Sequence, residues 1–195
     1  MESRTKILEA IAQNQPQLTP LPNLTDLAFI DFDPLEKFRT ILTSIGGQVI
    51  EVKNLGEIEQ YIQAEFPDPM RVISTLPALS PVAETDWLEQ DPHVLENVDL
   101  CILEADFGVA ENGSVWLTEA HMGQRVAPFI TQCLGIVLQA DRLVPTMHHA
   151  YERIGAADYP FGMFLAGPSK TADIEQSLVL GAHGSRSLLL FLVEA

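Results

Sequence analysis

Cysteine and basic residues are both scarce in this 195-residue chain. The two thiols, Cys101 and Cys133, each lie within an apolar run, far apart in sequence. Two isolated cysteines cannot supply a four-thiolate iron–sulfur site, and their setting predicts buried thiols rather than a disulfide or a metal site. The histidines form no H-E-x-x-H pattern, and His148 and His149 are adjacent, so on a helix they point in different directions. No metal ligand set is expected. No G-x-G-x-x-G follows a strand-like run, which leaves NAD and flavin binding without support. The G-x-x-x-x-G-K-[ST] spacing of a P-loop and the G-x-S-x-G elbow of a hydrolase are missing too. No apolar run approaches the length of a membrane span, and no apolar core of a signal peptide follows the alternating charges at the N-terminus. Together these absences predict a cytoplasmic protein with no cofactor and no membrane insertion.

Positive charge is the other shortage. Eleven Lys and Arg stand against 27 Asp and Glu, a net charge of -16. Such a surface repels nucleic acid and anionic membranes. It also makes any local cluster of Lys and Arg stand out as a candidate anion site. The acidic residues are dispersed among apolar ones, which predicts a solvated surface and not a disordered tail. With 47% hydrophobic residues the chain can bury a sizeable core, and its length suits one domain over residues 1–195.

Along the chain, Ser3 to Gln13 reads as an amphipathic helix with Ile7, Leu8 and Ile11 on one face. Pro16, Pro20, Pro22 and Pro34 then forbid a regular helix, so residues 1–34 are read as a helix plus a surface wrap, and 35–195 as the core. Leu35 to Ile45 is helical in spacing, closed by Gly46-Gly47; Gln48 to Val52 reads as a strand, Leu55 to Phe66 as a helix, Arg71 to Thr75 as a strand. Residues 76–97 are poorly patterned, with Trp87 as a candidate anchor. Val98 to Leu103 and Leu134 to Leu138 read as buried strands. Between them, Asn112-Gly113 predicts a hairpin with a two-residue type I′ turn. Pro145 to Ile154 reads as a helix, and 161–165 and 188–193 as strands buried on both faces. The alternation predicts an α/β fold: a mainly parallel sheet with helices on both faces and an inserted β-hairpin.

The densest cluster of special residues is A-G-P-S-K-T-A-D-I-E-Q-S-L-V-L-G-A-H-G-S-R, from Ala166 to Arg186. The chain turns at Gly167-Pro168. Ser169 or Thr171 can cap a helix carrying Ile174 and Leu178 on one face, with Gly181 to end it. A helix start offers free N–H groups to an anion, and Lys170 stands there, with His183 and Arg186 able to fold back over it. In parallel sheets ligands sit beyond the carboxyl ends of strands, and the turn from Leu165 to Ser169 is read as such an end. The competing reading is a brace in which Asp173 and Glu175 complement the helix dipole and pair with Lys170 or Arg186.

G-P-S-K-T-A-D-I-E, followed by the glycine-histidine-glycine turn and Arg186, resembles the C-terminal signature of the LUD-domain family; Ser185 stands where the family has proline. Ala105 to Ser114, A-D-F-G-V-A-E-N-G-S, resembles the family's A-D-x-G-I-A-E-T-G-T, with Asn112 and Ser114 replacing threonines. The resemblance is good over the second half of the chain and only an outline over the first. It implies a NagB/RpiA/CoA transferase-like fold, shared with sugar-phosphate isomerases. It also implies a role in oxidising L-lactate to pyruvate beside iron–sulfur partner proteins, with no redox centre in this chain. The resulting candidate ligand-binding set is Gly167, Ser169, Lys170, Thr171, Asp173 and Arg186, for a small anion.

Two further readings stay open. Ala110-Glu111-Asn112-Gly113 is similar to the S-E-N-G of family I CoA transferases, which makes Glu111 a candidate acyl nucleophile: the anhydride it forms is itself reactive. Glu104 and Asp106 can join it as an acid/base group, and His183, between glycines, can move a proton near neutral pH. Alternatively, the chain is a small-ligand or scaffold domain that turns over nothing.

Overall fold

The structure is a computed structural model and describes residues 2–20, 30–170 and 181–194. In chain order the elements are α1 (Glu2–Gln13), α2 (Pro34–Ser44), β1 (Gln48–Val52), α3 (Leu55–Glu65), β2 (Val72–Ser74), β3 (Leu100–Glu104), β4 (Phe107–Val109), β5 (Ser114–Thr118), α4 (Glu119–Met122), α5 (Ala127–Ile130), β6 (Cys133–Gln139), β7 (Leu143–Val144), α6 (Met147–Ile154), β8 (Gly162–Leu165) and β9 (Ser187–Val193).

Among the described residues, five strands pair in the order β1-β9-β6-β3-β2, all parallel. The centre of this sheet is apolar on both faces because alternate residues feed separate cores. Leu188, Leu190 and Leu192 of β9 join Leu134, Ile136 and Leu138 of β6 on one side, with Phe38 and Leu42 of α2. Leu189, Phe191 and Val193 point the other way, against Ile58 and Ile62 of α3. The period of two along a strand decides this division.

On the α2 side lies a second sheet, ordered β7-β4-β5-β8. Here 161–165 departs from expectation. It does form a strand, but β8 pairs antiparallel with β5, and each of its residues is only half-buried. An apolar run fixes that a segment is buried, not which sheet receives it. The hairpin also differs. Val109 pairs with Ser114, so four residues separate the strands rather than two. The reason lies in the backbone donors: Ala110 N–H and Glu111 N–H reach Val144 O at 2.9 Å and Pro145 O at 3.0 Å, not β5. The Asn112 side chain then accepts from Ser114 N–H at 3.0 Å and closes the wider loop.

The helix boundaries follow local chemistry. Asp33 accepts from Glu36 N–H at 2.9 Å, Pro34 fills the first position of α2, and Gly46 at φ 96° ends it. Asn54 caps α3 in the same way. Trp87 is fully buried, its indole N–H on Ser74 O at 3.1 Å, so it does anchor the 76–97 stretch. Residues 3–13 of α1 are exposed, including its apolar face, and the proline-rich stretch lies partly outside the described residues.

Candidate functional site

After β8 the chain turns at Gly167, whose φ of 68° favours glycine and where a Cβ would lie 3.1 Å from Ile45 O. Gly167 and Pro168 are therefore wedged against the end of α2. Ser169 N–H then donates to Ser185 O at 2.9 Å, and Gly181 N–H donates to Ser169 O at 3.1 Å. Arg186 N–H donates to Gln132 O at 2.9 Å, one residue before β6. The two ends of the cluster thus meet. The place is not the one expected. The turn follows the carboxyl end of β8, but β8 belongs to the mixed sheet; the loops lie at the amino ends of β6 and β9 in the parallel sheet. Thr171, Asp173 and the expected helix with Ile174 and Leu178 lie outside the described residues.

Lys170 donates from its Nζ to Ile45 O at the end of α2, where a cation complements the helix dipole. Arg186 is exposed, and its side chain lies over Gly181: a Cβ there would fall 2.2 Å from Arg186 Cγ. Five other arginines of the core pair with carboxylates: Arg39 with Glu51, Arg71 with Glu84, Arg125 with Glu119, Arg142 with Glu104 and Arg153 with Asp106. Arg186 has no carboxylate partner among the described residues. His183 is exposed as well.

Glu111 is exposed at the hairpin tip, and its Oε1 accepts from Met147 N–H at 2.7 Å, satisfying a free donor in the first turn of α6. Its hairpin and the Lys170 turn both rest on α2: a Cβ on Gly113 would lie 3.0 Å from Leu42 N, just as Lys170 holds Ile45 O. The two motifs therefore share one side of the parallel sheet. No hydrogen bond or ion pair joins Glu111 to Lys170 among the described residues. Nor do Glu104 and Asp106 form an acid/base group with Glu111, because Arg142 and Arg153 engage them at 3.3 Å and 3.5 Å.

Sequence reasoning missed Phe129. It is 42% exposed on α5, and a Cβ on Gly184 would sit 4.0 Å from its Cδ1. Residues 123–130 carry no clear helix or strand pattern in the sequence, and nothing local marks this ring. A cleft of about 500 Å³ lies between the 88–92 loop and α4–α5. In its wall Arg125 holds Glu119 at 2.7 Å and pulls that carboxyl below its ordinary range.

The family model of the LUD domain matches residues 88–193, more than half of the chain. The chain belongs to the LUD-domain family. Relatives of this LUD protein include a Lactate utilization protein C of Deinococcus radiodurans, 27% identical over 99% of the chain and 94% of that protein. A Lactate utilization protein C of Bacillus pumilus is 27% identical over 57% of the chain, and an uncharacterized protein of Neisseria meningitidis is 29% identical over 50%. The matches span only 51% and 43% of the lengths of those two proteins. A crystal structure of a DUF162 family protein from Deinococcus radiodurans superposes with a TM-score of 0.64 over 82% of this chain and 96% of that one, at 20% identity. That likeness supports the fold, with its parallel sheet and attached mixed sheet. No helix of the described residues is long and apolar enough to cross a membrane.

Proposed function

We propose that this LUD protein is a component of L-lactate utilisation, acting in the oxidation of L-lactate to pyruvate beside iron–sulfur partner proteins and without a redox centre of its own. The names of its relatives point to lactate, and one of them aligns over nearly the whole chain. The observation that carries the reading on the structural side is Arg186, a cation without a carboxylate partner among the described residues, held by the paired loops 167–170 and 181–186. Its planar guanidinium suits a carboxylate such as that of a 2-hydroxy acid. Lys170, next to Ser169 in the paired loop, adds a positive charge against the repulsion of a chain at -16.

Oxidation of lactate to pyruvate releases two electrons and two protons, which an acceptor must take. The two buried, separated thiols are poor material for one in this chain, so electron transfer falls to partners. The reading puts the chain in the cytoplasm. An acyl-transfer role for Glu111 would require its carboxylate to leave Met147 N–H, and the observed bond favours the service to α6 instead.

Deletion of the gene in its host tests this. Growth on L-lactate as sole carbon source should be lost, restored by the wild-type gene and restored poorly by Arg186→Ala. Undiminished growth of the deletion strain on L-lactate overturns the reading.

A further inference from the structure

Arg186 accounts for an anion, but it is not the only unusual feature of this surface. Phe129 presents a ring, 42% exposed, beside the same loops; Tyr151, the other strongly exposed aromatic among the described residues at 64%, packs its ring against Phe164. Between the two stands Gly184. A Cβ there would lie 3.1 Å from Ser169 Cβ and 4.0 Å from Phe129 Cδ1. Among the described residues, no side chain fills the place between Ser169 and the edge of Phe129 that a side chain at 184 would take. Gly181 makes room for Arg186, whose Cγ occupies the place a side chain at 181 would take. Gln132, whose carbonyl takes Arg186 N–H at 2.9 Å, ties this arginine to the segment that follows α5 and so to Phe129.

Resting on the reading that these loops hold an anion, we infer that the anionic group is carried on a planar ring: Arg186 takes the charge, and the ring lies across Gly184 against Phe129. The class of ligand is an aromatic acid or a nucleoside monophosphate. Aromatic faces stack on planar rings with little regard for their substituents, while the guanidinium fork fixes the anion. A simple 2-hydroxy acid would use Arg186 and leave Phe129 idle. The ring ligand would then be an effector or second substrate of the lactate system, in addition to lactate itself.

Calorimetry on the full chain separates the parts, with benzoate and AMP as the two ring-bearing anions, and inorganic phosphate and L-lactate as anions without a ring. At least one of benzoate and AMP should bind about tenfold or more tightly than the ringless anions; which one does tells the aromatic acid from the nucleotide. Phe129→Ala should remove that advantage while leaving phosphate and L-lactate binding as in the wild type. Gly184→Val, which fills the gap, should act in the same direction. Arg186→Ala should weaken every anion. Circular dichroism of each variant confirms its fold, and Phe129→Leu serves as a variant that keeps apolar bulk without the ring. If Phe129→Ala leaves AMP and benzoate unchanged, or if neither binds more tightly than phosphate, the ring inference is wrong and the anion site stands. If Arg186→Ala alters no binding, the anion site itself falls.

Discussion

Cys101 and Cys133 lie on neighbouring strands, yet their side chains enter different cores, Cys101 with Leu103 and Leu134, Cys133 with Ile102 and Val137. Opposite faces of one sheet rule out a disulfide between them. Burial also pushes both thiols above their ordinary range, although a hydrogen bond with Ser187 pulls Cys133 partly back. Because the thiolate is the reactive form, a thiol reagent at mildly alkaline pH should label neither cysteine quickly in the native chain and both after denaturation. Rapid labelling of Cys101 in the folded protein would contradict the packing. Trp87 gives a second prediction at this scale. It is fully buried, and its N–H satisfies Ser74 O. Trp87→Ala should cost about 3–5 kcal/mol in urea unfolding, in the range for deleting a buried aromatic. Glu111 separates two roles: if its carboxylate only serves α6, Glu111→Gln keeps an acceptor for Met147 N–H, and Glu111→Ala costs about 1 kcal/mol. Loss of lactate-dependent growth in Glu111→Gln at unchanged stability would restore a chemical role to this residue.

Between elements, α2 is the common support of both motifs. Gly113 at φ 68° would place a Cβ 3.0 Å from Leu42 N and 3.1 Å from Leu42 Cα, so any side chain meets helix backbone that cannot swing away. Gly113→Val should therefore destabilise the chain by at least about 1–3 kcal/mol, the scale of a strained left-handed residue, read as a lower urea midpoint. A midpoint within error of the wild type would mean that the hairpin tip is free of α2. The same elements show what a sequence reader can see. β1, α2, α3, β6 and β9 are legible because their burial is local in origin: an apolar face at helical spacing, or a short apolar run, closed by Asn, Gly or Pro. The second sheet is not legible. β7 has two residues, too few for a pattern, and β8 carries an apolar run like that of β9 while sitting at the edge of another sheet. The Asn112-Gly113 turn was misjudged for the same reason, because Val144 O of β7 and Pro145 O just after it took the Ala110 and Glu111 donors. At the candidate site, the meeting of Ser169 with Ser185 depends on strand order, while the value of Arg186 depends on carboxylates elsewhere being engaged, and neither is written in local spacing.

At the scale of the molecule, the order β1-β9-β6-β3-β2 puts the last strand inside the parallel sheet, between β1 and β6. β9 pairs over five residues with β1 and over seven with β6, and its side chains supply both cores. The family match at 88–193 contains β9 but lacks β1, α2, α3 and β2. Cut at that boundary, β9 becomes an edge strand with a row of unpaired N–H and C=O groups, and Leu189, Phe191 and Val193 lose Val52, Ile58 and Ile62 as neighbours. The opposite core loses Phe38 and Leu42, and the Gly113 and Gly167 turns lose the helix that receives them. Those losses fall on both cores that flank the parallel sheet, and a domain's net stability is only about 5–15 kcal/mol. The fragment 88–195 should therefore lack a cooperative urea transition and aggregate through its exposed β9 edge, whereas residues 30–195, which omit only the exposed α1 and the segment after it, should unfold in one transition close to that of the full chain. A cooperative transition for 88–195, with a midpoint near the full chain's, would show that the LUD match is a self-sufficient domain and that the first half of the chain is an attachment to it.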